Sequence, residues 1–180
     1  LRIRYQEELP VYESLGDVHS KAISMGKIAE VLQSRGQLDE AIRIRFQQQI
    51  PVFERQGDVR SKAVTMGKVA DILQLRGQYD EALRIRRQME LPVYERLGDV
   101  REKAVTMGKI ADILQSRGQL DEALRIRQEE QLPVFEHLGD LHSKAVTLGQ
   151  IADIFQVRGQ LEEALTIWQT DCLPVFERLG

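Results

Sequence analysis

A single cysteine, Cys172, stands in 180 residues. No disulfide can therefore close within the chain, and a reducing, cytoplasmic compartment is the expectation. Neither sign of charge dominates: 25 Lys and Arg face 28 Asp and Glu, for a net of −3. That leaves no basic footprint for nucleic acid. No apolar run approaches the ~18 residues that a membrane helix needs. No signal peptide is visible, although the chain opens on Leu1 and not on Met, so a lost leading segment stays open. His19, His137 and His142 fit no metal-ligand spacing. No Gly-rich phosphate loop follows a strand, because no strand is legible. Neither an enzyme nor a metal or cofactor is expected.

What the chain does have is a period. Gly-Asp recurs at Gly16-Asp17, Gly57-Asp58, Gly98-Asp99 and Gly139-Asp140, a step of 41 residues. Gly180 keeps the register, as do Pro10, Pro51, Pro92, Pro133 and Pro174. A period of this size signals a stack of like supersecondary units, in which each unit touches only its neighbours. The expected organisation is four repeats, 16–56, 57–97, 98–138 and 139–179, in one continuous solenoid. Residues 1–15 would be the second-helix remnant of a preceding repeat. The second and third repeats differ at ten of 41 positions, which points to recent duplication and weakens any search for a specialised site.

Each unit reads as two helices. In the second, Val59, Ala63, Met66, Ala70 and Leu73 recur in steps of four and three, one face of a helix. Val69 and Ile72 widen that face, so the helix is expected to lie between neighbours. Asp58 is a natural N-cap; Glu102, three residues beyond Asp99, adds a capping-box partner in the third unit alone. Gly77 should end the first helix, with Arg76 in its last turn. The second helix follows from Gln78, with Asp80 and Arg84 spaced to pair. Short links make the two helices antiparallel. Pro92 lies inside the second helix, where proline deletes a hydrogen bond and clashes with the carbonyl of Gln88 at a cost of about 3 kcal/mol. A kink or short break near Gln88–Pro92 is predicted, with its counterpart in every unit.

The string Leu114-Gln115-Ser116-Arg117-Gly118-Gln119-Leu120-Asp121-Glu122-Ala123-Leu124 resembles the centre of a tetratricopeptide repeat (TPR). Met107 takes the aromatic position of that motif, Ile110 and Ala111 its Leu-Gly pair, Leu114 its Tyr, Gly118 the turn and Ala123 the second-helix Ala. The match covers all four units. It departs from the family in length, in lacking the first-helix Trp, and in placing Pro within the second helix. The length resembles the long-unit subtype of kinesin light chain and of bacterial sensor proteins. The resemblance implies an all-α, right-handed α-solenoid whose first helices line a concave groove for a peptide or partner helix. Carried over, the groove positions are Ile23, Gly26, Lys27, Glu30, Gln33 and Ser34 in the first unit. Val64, Gly67, Lys68, Asp71, Gln74 and Leu75 follow in the second. The third has Val105, Gly108, Lys109, Asp112, Gln115 and Ser116, and the fourth has Val146, Gly149, Gln150, Asp153, Gln156 and Val157.

These residues lie off the main apolar stripe, as a groove requires. Glycine would admit a ligand backbone, and glutamine can donate to a peptide and accept from it. Two plainer readings stand beside this: Lys68 and Asp71 pair along one helix, and Gly67 permits close helix packing. Glu30, Asp71, Asp112 and Asp153 would oppose an acidic ligand, so a neutral or mildly basic segment is expected. Arg43/Arg45, Arg84/Arg86 and Arg125/Arg127 form a second column. It could be a phosphate-binding stripe, but intrahelix pairing with Asp39, Asp80 and Asp121 and bridging to the next unit is preferred. The fourth unit replaces that column with Thr166 and Trp168. Trp168 reads either as ordinary packing or as an end feature over apolar surface. Cys172 falls in a polar column (Gln49, Glu90, Gln131) and is expected half-exposed. The leading function is a protein-interaction scaffold; the alternative is a self-assembling or spacer array, associating head to tail.

Overall fold

The computed structural model describes residues 7–179. The first six residues of the expected remnant, and Gly180, lie outside the described residues. By compactness the chain divides into two units, Leu1–Val93 and Tyr94–Gly180. All ordered elements among the described residues are helical. None is long and apolar enough to cross a membrane.

The first unit contains α1 (Leu9–Leu15), α2 (Val18–Ser34), α3 (Leu38–Ile44), α4 (Ile50–Gln56), α5 (Val59–Leu75) and α6 (Tyr79–Ile85). Helix α7 (Leu91–Leu97) begins in it and ends in the second unit. The second unit continues with α8 (Val100–Ser116), α9 (Leu120–Arg125), α10 (Leu132–Leu138), α11 (Leu141–Val157), α12 (Leu161–Ile167) and α13 (Leu173–Leu179). The long helices α2, α5, α8 and α11 are the first helices of the repeats.

Each long helix starts at an aspartate. Asp17, Asp58, Asp99 and Asp140 each accept from the backbone N–H three residues on, at 2.9, 2.9, 3.0 and 2.9 Å. This satisfies one orphan donor of the first turn. The Asp99 amide donates to the Tyr94 carbonyl at 3.0 Å, so the capping box expected of Glu102 is not needed there. At the other end Gly77 has φ +72. Its N–H donates to the Gln74 carbonyl, and that of Gln78 to Leu73. Only glycine enters this left-handed turn without a Cβ penalty.

The apolar stripe is buried as the spacing predicts, with one exception. Ala63, Val69, Ala70 and Ile72 are 0–1 % exposed, but Val59 is 47 % exposed. It sits in the first turn, before the helix has reached its neighbours, and Val18, Val100 and Leu141 repeat the pattern. In the first unit, Leu9, Met25, Ile28, Leu32, Ile44 and Ile72 form one core, drawn from α1, α2, α3 and α5. In the second, Ile110, Ile113, Leu114, Ile126, Ile151 and Ile154 are fully buried. A side chain of this kind contributes about 2 kcal/mol by leaving water.

The proline interruption is a widened turn and not a broken chain. Short π-helical segments, Arg45–Gln49, Arg86–Glu90, Ile126–Gln131 and Trp168–Cys172, precede Pro51, Pro92, Pro133 and Pro174. The N–H of Leu91 donates to the Arg86 carbonyl, five residues back, and Ile50, Leu132 and Leu173 do the same. Widening the turn redirects the carbonyls that a regular helix would aim at the proline ring.

Candidate functional site

Within each unit, two long helices leave an open hollow. Between α2 and α5 it has a volume of about 350 Å³ and is lined by Ile23, Lys27, Glu30, Val64 and Lys68 over a floor of Arg45 and Gln49. Between α8 and α11 it measures about 260 Å³, with Val105, Lys109, Asp112, Val146 and Gln150 over Gln131. Twelve of the sequence candidates, these ten with Gly26 and Gly108, thus gather into two equivalent places. Gln33, Gln74 and Gln115 lie half-buried nearer the helix C-termini, Asp153 and Gln156 are exposed on α11, and Asp71 is half-buried on α5. None of the six lines either hollow.

The floor is the part the sequence did not disclose. Arg45, Arg86 and Arg127, expected in a basic column that pairs along its own helix and bridges to the next unit, are 2, 3 and 1 % exposed. Arg86 Nη2 donates to Asp71 Oδ1 at 2.5 Å and Nη1 to Glu90 Oε2 at 2.5 Å. Arg127 repeats this with Asp112 at 2.6 Å, Gln150 at 2.6 Å and Gln131 at 3.4 Å. Arg86 and Arg127 thus reach from the second helix of a repeat to the acid on its first helix. A guanidinium this deep is tolerable only when such partners replace its water. Asp71 therefore holds Arg86, while the Lys68 ammonium lies 3.9 Å from Glu30.

Arg45 is the exception among the three. It donates to Gln49 at 3.2 Å, but its Nε and Nη2 are buried without a partner. Burial pulls its pKa down, and only the more distant carboxylates of Glu30 and Asp71 oppose this.

The mid-helix glycines belong to the same floor. A Cβ on Gly67 would collide with Glu90 Oε1 and stand 2.8 Å from Arg86 Nη1. On Gly26 and Gly108 it would collide with the side-chain amides of Gln49 and Gln131. The space that glycine opens is filled by the repeat's own second helix, not kept for a ligand backbone.

In the fourth repeat the floor changes chemistry. Trp168 replaces the arginine, and its Cη2 would be 2.9 Å from a Cβ on Gly149. Cys172 replaces the glutamine or glutamate and is wholly buried, not half-exposed. Its thiol donates to the Ala145 carbonyl at 3.4 Å, and burial pushes its pKa up.

The outer arginines pair differently from the expectation. Arg43 and Arg84 turn to Glu40 and Glu81, three residues before, and Arg125 to Glu129 and Glu130. Asp39 and Asp121 receive Arg76 and Arg158, at the end of the next long helix. Opposite charges are thus matched on this face, and neither acid is left for the arginine four residues on. His19 contacts Gln56 at 2.9 Å and packs edge-on against Phe53, as His142 does against Phe176. Among the described residues no group of His, Cys, Asp and Glu could hold a metal.

No protein-family model and no curated protein matches the sequence. Solved structures do. The nearly identical TPR-like repeats of a Podosopora anserina protein assigned as a kinesin light chain align with a TM-score of 0.69 at 19 % identity, over 99 % of this chain and 97 % of that one. A single-substitution variant of the same protein gives 0.68 at 19 % identity, over 93 % and 92 %. BtubC (BKLC) from P. vanneervenii gives 0.75 at 13 % identity, over 98 % of this chain and 76 % of that one. At these identities the likeness speaks for the fold alone, and by that fold the chain is an all-α, TPR-like repeat protein.

Proposed function

We propose that the chain is a protein-interaction scaffold that holds a peptide or a partner helix against the exposed faces of its first helices, as part of a larger cytoplasmic protein. TPR-like repeats commonly serve protein–protein interaction. The observation that carries the reading here is the pair of equivalent hollows, α2/α5 and α8/α11. Each is walled by aliphatic side chains left in solvent: Ile23 is 42 %, Val64 41 % and Val146 39 % exposed. Apolar groups rimmed by Lys, Glu and Gln suit a segment that buries alternate side chains while its backbone meets polar donors and acceptors.

Panning a displayed peptide library against the whole chain tests this. Captured peptides should bind the Val64→Glu and Val146→Glu variants at least tenfold more weakly. Capture indifferent to both substitutions would remove the groove reading. The head-to-tail alternative draws on a different observation. Leu161 and Leu165 on α12 are 61 and 50 % exposed, whereas their counterparts Leu120 and Leu124 on α9 are half-buried in the same unit. Sedimentation of the same preparations, rising in mass with concentration, would favour that array over a peptide groove.

A further inference from the structure

The fourth long helix keeps the acid of its predecessors but has lost the acid's partner. Asp71 and Asp112 each receive a guanidinium from 15 residues further on. The residue in that place for Asp153 is Trp168. Asp153 is exposed, and no hydrogen bond or ion pair from the described residues engages it.

Trp168 fills the inner part of the vacated slot. Its benzo edge, Cη2, Cζ3 and Cζ2, would lie 2.9 to 3.4 Å from a Cβ on Gly149. Gly149 is one helical turn before Asp153 on the same face. The ring is not covered, since 39 % of Trp168 remains exposed. The ring against Gly149 and the Asp153 carboxylate, one turn further along α11, therefore stand where the second and third repeats hold a guanidinium of their own.

We propose that this position docks an arginine side chain of a partner peptide, its guanidinium stacked on Trp168 and paired with Asp153. The inference rests on the peptide-groove reading above and gives one anchor of the ligand a chemical identity. Arginine fits better than lysine. The flat guanidinium stacks on indole and presents a fork to a carboxylate, whereas ammonium is a hydrated point charge. The chain itself answers this acid with arginine at Arg86 and Arg127. Val146 and Val157, 39 and 65 % exposed on α11, offer apolar contact to the residues flanking that arginine.

Trp168 is the chain's one tryptophan, so its emission reports this site alone. The probe is a blocked pentapeptide, Ala-Ala-Arg-Ala-Ala, with a citrulline twin of the same shape and no charge. The arginine peptide should change Trp168 emission saturably. The citrulline twin, and the Asp153→Asn variant, should each bind about fivefold more weakly, the size expected of one exposed cation–π and ion-pair contact. Glu162→Gln, the same change of charge at an exposed acid on α12, should leave the titration unchanged. A response that does not saturate, equal binding of the citrulline twin, or equal damage from Glu162→Gln overturns the proposal; circular dichroism confirms that both variants fold. Library panning separates this failure from that of the scaffold reading. Captured peptides that ignore Asp153→Asn and do not compete with the probe leave the scaffold standing and remove the arginine anchor. A saturable probe with no captured peptide does the reverse.

Discussion

Removing the carboxylate of Asp112 exposes what holds the buried arginine in place. Arg127 is 1 % exposed and touches Asp112, Gln150 and Gln131. In Asp112→Ala the two glutamines still accept hydrogen bonds, but the desolvated guanidinium loses the carboxylate that it donates to. Breaking a buried pair from one side costs about 3–5 kcal/mol. The lower figure applies here, because the Asp112 side chain is 29 % exposed and water can enter the gap. With a urea slope of about 2 kcal/mol/M, a loss of about 3 kcal/mol moves the unfolding midpoint down by about 1.5 M. Arg127→Met should cost less, since it leaves behind a carboxylate that water can reach. The double variant should fall within about 1 kcal/mol of the parent, because an apolar side chain of like volume replaces the whole pair. Urea unfolding of the four proteins, followed by circular dichroism, closes the cycle. A cost below about 1 kcal/mol for Asp112→Ala, the worth of a surface pair, would refute the burial argument.

Two further outcomes follow from the same floor and from the caps. Gly67→Ala gains about 1 kcal/mol of helix propensity, but its methyl would displace the Glu90 carboxylate and the Arg86 guanidinium. Overpacking costs about 1–3 kcal/mol, so a net loss near 1 kcal/mol is expected by urea unfolding; a stabilised variant would show that the slot is open. Asp58→Ala should cost about 1 kcal/mol as a lost N-cap, again read by urea unfolding. The backbone N–H of Ser61 holds the Asp58 carboxyl below its ordinary 3.8. A depressed folded pKa contributes stability above the unfolded value and loses it as pH falls through the folded one. The difference between parent and Asp58→Ala should therefore be full at neutral pH and shrink below 3.8; a difference that persists under acid would deny the cap its charge.

The helices were legible because their signals are local. Asp at the cap, Gly at the stop and the three-four spacing of Ala63, Met66, Ala70 and Leu73 each act within a turn or two, and each recurs at the same register. The proline told of an interruption but not of its form, since a widened turn and a broken one begin with the same missing N–H. The burial of Arg45, Arg86 and Arg127 was out of reach for a different reason. Spacing along one helix offers Arg84 an aspartate four residues before, and it says the same of Arg43 and Arg125. It cannot show that Arg86 crosses to Asp71 on another helix. One signal was available in Gly26, Gly67, Gly108 and Gly149. A glycine held at mid-helix in every unit costs about 1 kcal/mol against alanine, and four such costs point to something large packed against the backbone. That large group proved to be a side chain of the same repeat.

The floor also changes the arithmetic of ligand choice. Four acids on the first helices suggested a groove that rejects an acidic segment. Asp71 and Asp112 are already answered by Arg86 and Arg127, and their charge is largely cancelled before any ligand arrives. Glu30 has Lys68 at 3.9 Å and an unpaired, buried Arg45 beneath the same hollow. Around α2 and α5 the cations Lys27, Arg45, Arg60 and Lys68 meet Glu30 as the hollow's single acid. Among the described residues, only at Asp153 does the acid of this column stand in solvent with no hydrogen bond or ion pair. The proposed preference for a basic side chain therefore belongs to the fourth repeat and not to the groove as a whole. Substituting Asp153 should change which peptides bind, whereas substituting Asp112 should first change whether the second unit folds.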